Sequence, residues 1–180
     1  MTATGSDVRL APLCVEHATA MTRWLNDAHV RENLGVRKQV TLNTTREWLE
    51  RVVVDPAVQG WGIYVEDQHV GNVVLDLIDP ELQTARLSVY VGEDAARGRG
   101  AGRRGTALAL DHAFGGLNLN KVWLIVHTEN LPAIRTYAKL GFRVEGVLQE
   151  EFLLRGTLVS VLRMAIFRSQ WLRRSDGATG

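Results

Sequence analysis

The sequence predicts an α/β fold of the α+β kind: a mixed, mostly antiparallel sheet of about seven strands with helices on both faces. Three observations predict it. Apolar residues recur at helical spacing near the N-terminus, alternate with period two between residues 61 and 91, and then fall into helices interleaved with strands. The run KVWLIVH at residues 121–127 is almost continuously apolar, as expected of a strand buried on both faces. One helix separates it from the strand before it, and such a crossover makes the two strands parallel.

The elements follow in order. Residues 8–13 form a short first strand. Between 15 and 34, Ala18, Met21, Trp24, Leu25 and Ala28 share one helical face, which places Trp24 in the core. Thr44-Thr45-Arg46-Glu47 has the form of a capping box and opens a helix carrying Trp48, Leu49, Val52 and Val53, ended by Asp55-Pro56. Strands at 61–65 and 70–75 flank Glu66-Asp67-Gln68-His69 as a hairpin, and Asp79-Pro80-Glu81 turns into a third strand at 85–91. Residues 92–105 form a loop that leads into a helix through Thr106, Leu110 and Phe114. Asn130 caps the next helix, Pro132 is tolerated in its first turn, and Gly141 stops it. Strands at 142–148 and 158–167 close the sheet, for four helices in all. The tail, with Arg168, Arg173 and Arg174 around Trp171, reads as a solvated end.

Length and composition bound the function classes. The 180 residues suit a single domain spanning 1–180, with an ordered core from about 8 to 171 and flexible termini. Apolar residues make up 46% and charged residues 23%, close to the average for soluble globular proteins. Net charge is +1, whereas a nucleic-acid binder usually carries a basic excess. No stretch approaches the ~18 apolar residues of a membrane span, and the start lacks the plan of a signal peptide, so a cytoplasmic protein without a membrane partner is expected. Cys14, the lone cysteine, has no disulfide partner, lies in no metal-ligand spacing and has no adjacent His. No metal is expected, and neither is a covalent cysteine intermediate.

The strongest chemistry lies in Arg97-Gly98-Arg99-Gly100-Ala101-Gly102-Arg103-Arg104-Gly105. It joins a strand end to a helix start, where the first amides lack helical partners and the macrodipole adds roughly half a positive charge. Glycines let those amides approach an anion closely, and arginines add charge-assisted bonds. The loop suits a pyrophosphate. Gly100 to Gly105 also satisfies the dinucleotide pattern G-x-G-x-x-G, but about eight residues separate it from its strand, where that fingerprint requires a tight turn.

These residues resemble the GCN5-related N-acetyltransferase (GNAT) superfamily. Arg97-Gly98-Arg99-Gly100-Ala101-Gly102 matches its loop Q/R-x-x-G-x-G/A, and Asn130 to Phe142 matches N-x-x-A-x-x-x-Y-x-x-x-G-F. Trp24-Leu25-Asn26-Asp27, Trp48-Leu49, Val70-Gly71-Asn72 and Glu145-Gly146 are similar to the branch of ribosomal-protein alanine, polyamine and amino-sugar N-acetyltransferases. The resemblance implies a GNAT-like sheet whose parallel pair splays into a cleft for acetyl-CoA, with direct attack of a primary amine on the thioester. Amides of Gly98 through Arg103 would hold the pyrophosphate. Backbone groups of Val89, Tyr90 and Val91 would pair with the pantetheine arm, with Asn130 and Ala133 beside it. Tyr137 would protonate the departing thiolate, and a homodimer is common in the branch.

Several positions depart from the pattern. Arg86 stands where the family often places a Glu base, Phe152 where the alanine branch has an acid, and Ser160 where an Asp is frequent. Glu151 is the chosen base, with Glu150, His127 or a relay of water as alternatives. Trp24, Asn26, Arg31, Glu32 and Tyr64 are the acceptor-side candidates. Glu32 beside Arg31, Arg37 and Lys38 makes no acidic cluster of the kind a polyamine would favour. Small amines or amino sugars lead, protein N-termini follow closely, and a silent acyl-CoA-binding regulator is the alternative from another class.

Overall fold

The structure is a computed structural model that describes residues 7–176. The expected flexible ends, 1–6 and 177–180, lie outside the described residues. Seven strands form one sheet in the order β1-β2-β3-β4-β5-β7-β6. They are β1 Val8–Pro12, β2 Gln59–Val65, β3 Gln68–Asp79, β4 Thr84–Val91, β5 Lys121–His127, β6 Arg143–Leu154 and β7 Thr157–Phe167. Among the described residues only β4 and β5 pair in parallel; the other ladders are antiparallel.

The described helices number six rather than the expected four: α1 Ala18–Asn26, α2 Ala28–Leu34, α3 Leu42–Val54, α4 Ala101–Asp111, α5 Leu131–Leu140 and α6 Arg168–Asp176. The single helix expected over 15–34 breaks at Asp27, whose extended backbone and side chain cap α2 by accepting from the Val30 amide. The capping box of α3 is Thr41 with Thr44, one turn earlier than expected, and Glu47 accepts instead from Asn43. The tail is not a solvated end. Trp171 is buried on α6, and its Nε1 donates to Asp111 at 2.8 Å, so apolar area and one hydrogen bond dock the last helix.

Two cores flank the sheet. One face packs under α4, α5 and α6, with Leu75, Leu110, Val122, Leu124 and Ile166 almost fully buried. The other packs β2 to β4 under α1 and α3 through Met21, Trp24 and Leu49, so Trp24 is core as expected. The β4–β5 ladder holds only from Thr84↔Lys121 to Arg86↔Trp123. Beyond Arg86, β4 follows β3 up to Gly71↔Val91, while β5 follows β7 up to His127↔Val161. Each strand is held by its outer neighbour, and the pair diverges. The divergence exposes the inner backbone groups of both strands at the centre of the sheet.

Candidate active site

The opened strands form the floor of a cleft of about 730 Å³. Val89, Tyr90 and Val91 line one side, and Ile125, Val126 and His127 the other. The glycine-arginine loop lies at one end, α5 contributes Ala133 and Tyr137, and α2 covers the opposite face with His29, Val30, Asn33 and Leu34.

Gly98 and Gly100 both have positive φ (72° and 89°), and a Cβ at either would meet nothing within 4 Å. The backbone there is bare and open to the cleft. The ladder of α4 begins when the Arg104 amide donates to Gly100 O at 3.0 Å, so the amides of Ala101, Gly102 and Arg103 precede it at the positive end of the helix. Arg99 and Arg103 extend into solvent beside them. This is the geometry of an anion cradle.

Arg97 does different work from the other arginines. Its Nε donates to Val91 O and its Nη2 to Gly92 O, both at 3.0 Å, and it pairs with Asp94 at 2.5 Å and Asp27 at 3.3 Å. The side chain straps the loop to the end of β4 and to the N-terminus of α2.

Tyr137 is half-buried with its ring against Phe142, and desolvation pushes its hydroxyl up to about 12. It therefore holds its proton throughout the neutral range. Asn130 accepts from the Ala133 amide at 3.2 Å as the cap of α5, and its Nδ2 donates to Asn33 Oδ1 at 2.7 Å. Asn33 Nδ2 donates to the His29 carbonyl at 2.8 Å, which fixes the amide's orientation. His127 Nε2, 3.1 Å from the same Asn33 Oδ1, must then be the protonated nitrogen. Its Nδ1 is a buried lone pair with no partner among the described residues. Desolvation holds this imidazole below its ordinary range, against the nearby charges of Glu129 and Glu32, and Phe152 stacks on the ring at 5.7 Å.

Glu150 and Glu151 are exposed in a bulge between Leu148↔Val161 and Phe152↔Val159, and neither lines the cleft. Phe152 does. None of the acceptor-side candidates Trp24, Asn26, Arg31, Glu32 and Tyr64 lines the cleft itself. Asn26 ties itself to the backbone of Val40, Arg31 reaches the carbonyls of Val36 and Arg37, Glu32 pairs with Arg155 at 2.8 Å, and Tyr64 bonds His17. Cys14 does have a histidine beside it: His17, one turn on, brings Nδ1 to 3.2 Å from the thiol. Burial pushes that thiol up, and the pair lies outside the cleft lining.

The acetyltransferase (GNAT) domain model matches residues 7–143. The chain belongs to the GNAT acetyltransferase family. Spermidine N(1)-acetyltransferase of Escherichia coli K12 is 34% identical over 165 residues, covering 92% of this acetyltransferase and 88% of the relative. The Vibrio cholerae spermidine N(1)-acetyltransferase is 42% identical over 107 residues, 59% of this chain and 61% of that one. Among solved structures, a Vibrio cholerae spermidine N-acetyltransferase in complex with CoA and spermine superposes with a TM-score of 0.87 at 26% identity, covering 92% of this chain and 98% of that one. This GNAT domain thus takes acetyl-CoA as co-substrate and acetylates an amine.

Sequence reasoning missed Asn33, which clamps α2 to β5 and α5 across 94 and 97 residues of chain. One polar residue among the four of a short helix gives no signal of such a partner. It also missed the strap made by Arg97, since a loop arginine looks the same whether it faces a ligand or a carbonyl.

Proposed function

We propose that this acetyltransferase forms a ternary complex in the splayed cleft and that the acceptor enters it as the neutral amine. The observation that carries the reading is the cleft itself: unpaired β4 backbone between a bare glycine cradle and a protonated tyrosine. Amides from Gly98 to Arg103 bind the pyrophosphate, and Val89, Tyr90 and Val91 pair with the pantetheine arm as an added strand. The amine nitrogen attacks the thioester carbon, and the electron pair moves to the carbonyl oxygen, stabilised by the amide of Val91. When the carbon–sulfur bond breaks, Tyr137 gives its proton to the thiolate, and the ammonium proton of the new amide leaves to water. Solvent then returns a proton to Tyr137.

No Asp or Glu lines the cleft among the described residues, while Arg86, Arg97, Arg99, Arg103 and Lys139 do. Arg86 is already paired with Asp76 and Arg97 with Asp27 and Asp94, so the wall offers an ammonium ion no carboxylate partner, and the free base is the form it accepts. A dedicated carboxylate base is then unnecessary, and a relay of water takes the role offered to Glu151. The relatives' names favour a second reading, a polyamine acceptor. A cytoplasmic location suits an enzyme that consumes acetyl-CoA.

The test is amine-dependent release of CoA thiol, measured across pH for acceptors of different basicity, with spermidine among them. Rates should rise with pH along a limb that moves with the acceptor's own pKa. A limb fixed at one pH for every acceptor would mean that an enzyme group, such as Glu151 or His127, takes the proton.

A further inference from the structure

Arg86 enters the cleft at its narrowest point. It occupies the last paired rung of β4 and β5, opposite Trp123, so the strands part immediately above it. Strand alternation puts it on the same face as Ser88 and Tyr90, the face covered by α2 rather than by α4. Asp76 grips it side-on from β3, taking Nε at 2.8 Å and Nη2 at 2.6 Å. That grip fixes the plane of the guanidinium and consumes both carboxylate oxygens. The Nη1 edge has no protein acceptor among the described residues, and the side chain remains 36% exposed. An arginine oriented from behind by a carboxylate, with one edge left toward a cavity, presents a fixed donor pair to an anion.

No carboxylate lines the cleft among the described residues, and two of the nearby ones are already paired. Asp76 is paired with Arg86, and Glu32 with Arg155. A polycation placed here would meet no uncommitted carboxylate on the cleft wall and would lie beside an arginine. Relatives that act on spermidine therefore do not transfer their acceptor to this cleft by likeness alone.

We infer that the acceptor of this enzyme is an amine bearing a carboxylate at its other end, and that Arg86 recognises that carboxylate through its Nη1 edge. The inference rests on the acetyl transfer proposed above. It makes Arg86 a specificity residue at the position where the family often places a base, and it makes Asp76 the positioning residue behind it.

The experiment compares acceptors of one shape: 4-aminobutyrate, 4-aminobutyramide and butane-1,4-diamine, repeated with the six-carbon series and with spermidine. The carboxylate should exceed the amide in kcat/KM by about tenfold or more, as a charge-assisted bond implies, and both should exceed the diamine. The double variant Arg86→Met/Asp76→Leu removes the pair without stranding a carboxylate, and should abolish the preference through KM. Calorimetric acetyl-CoA binding reports that its cleft is intact. Arg86→Lys, which keeps the charge and loses the fork, should reduce the preference and serves if the double variant does not fold. A preference for the diamine or spermidine, or a carboxylate preference that survives in the folded variants, overturns the inference and leaves acetyl transfer standing. Failure of every amine to release thiol while acetyl-CoA still binds sinks the transferase reading first, and this inference with it.

Discussion

Tyr137 shows how one side chain acquires a chemical role from its surroundings. A free phenol titrates near 10; desolvation beside Phe142 raises this one to about 12, so it remains a donor at any pH at which an amine attacks. The linkage runs the same way. The neutral phenol suits the fold below pH about 10, and that advantage is lost as pH climbs toward 12. Tyr137→Phe keeps the ring contact and removes the proton. It should lower kcat about 10²-fold with acetyl-CoA affinity almost unchanged, measured by steady-state kinetics and calorimetry. An unaltered kcat would strip the hydroxyl of the acid role. The sequence marked this tyrosine through its place in the block from Asn130 to Phe142, seven residues after Asn130 on the same helix face. It marked no comparable signal for Asn33 or for the tautomer of His127, because those depend on partners nearly a hundred residues away.

At the scale of elements, the glycine-arginine loop and α4 act as a unit. The positive φ of Gly100 and the open space beside it mean that a side chain there strains the backbone by about 1–2 kcal/mol but collides with nothing. Gly100→Glu should therefore leave the circular dichroism spectrum unaltered. It should weaken acetyl-CoA binding at least about 100-fold, since a carboxylate would stand where a pyrophosphate must approach. Retained affinity in a titration calorimeter would remove the loop from the binding site. Helix and strand identities were legible here because period and caps are local signals: Asn130 and Gly141 bound α5 where the sequence placed them. Two elements differ from expectation. The break at Asp27, a local cap that accepts from the Val30 amide, is reinforced from outside its segment by Arg97, and the docking of α6 is decided by Trp171 against Asp111.

At the scale of the molecule, desolvation acts on histidines of two separate strands on the face of the sheet that α1 and α2 cover. His69, stacked with Tyr64 and bonded to the buried Asn72 at 2.8 Å, is held below the ordinary imidazole range chiefly by burial, as is His127. Both groups therefore bind protons less readily folded than unfolded. The stability they allow is present above pH about 6.5 and is lost as pH falls below it. Scanning calorimetry should show the melting temperature at pH 5.5 at least about 2 °C below that at pH 7.5, with a shallower dependence in His69→Gln. A flat profile between those values would contradict the linkage. The sequence by itself determined the strand order of types, the crossover that makes β4 and β5 parallel, and the glycine cradle, because each rests on periodicity, chirality or backbone freedom within a short stretch. Only the tertiary structure decided how far the parallel pair opens, which side chains line the cleft, and that Asp76 holds the Arg86 guanidinium at its floor. Those outcomes depend on which neighbour each strand follows after Arg86 and Trp123, a competition between ladders that no local pattern encodes.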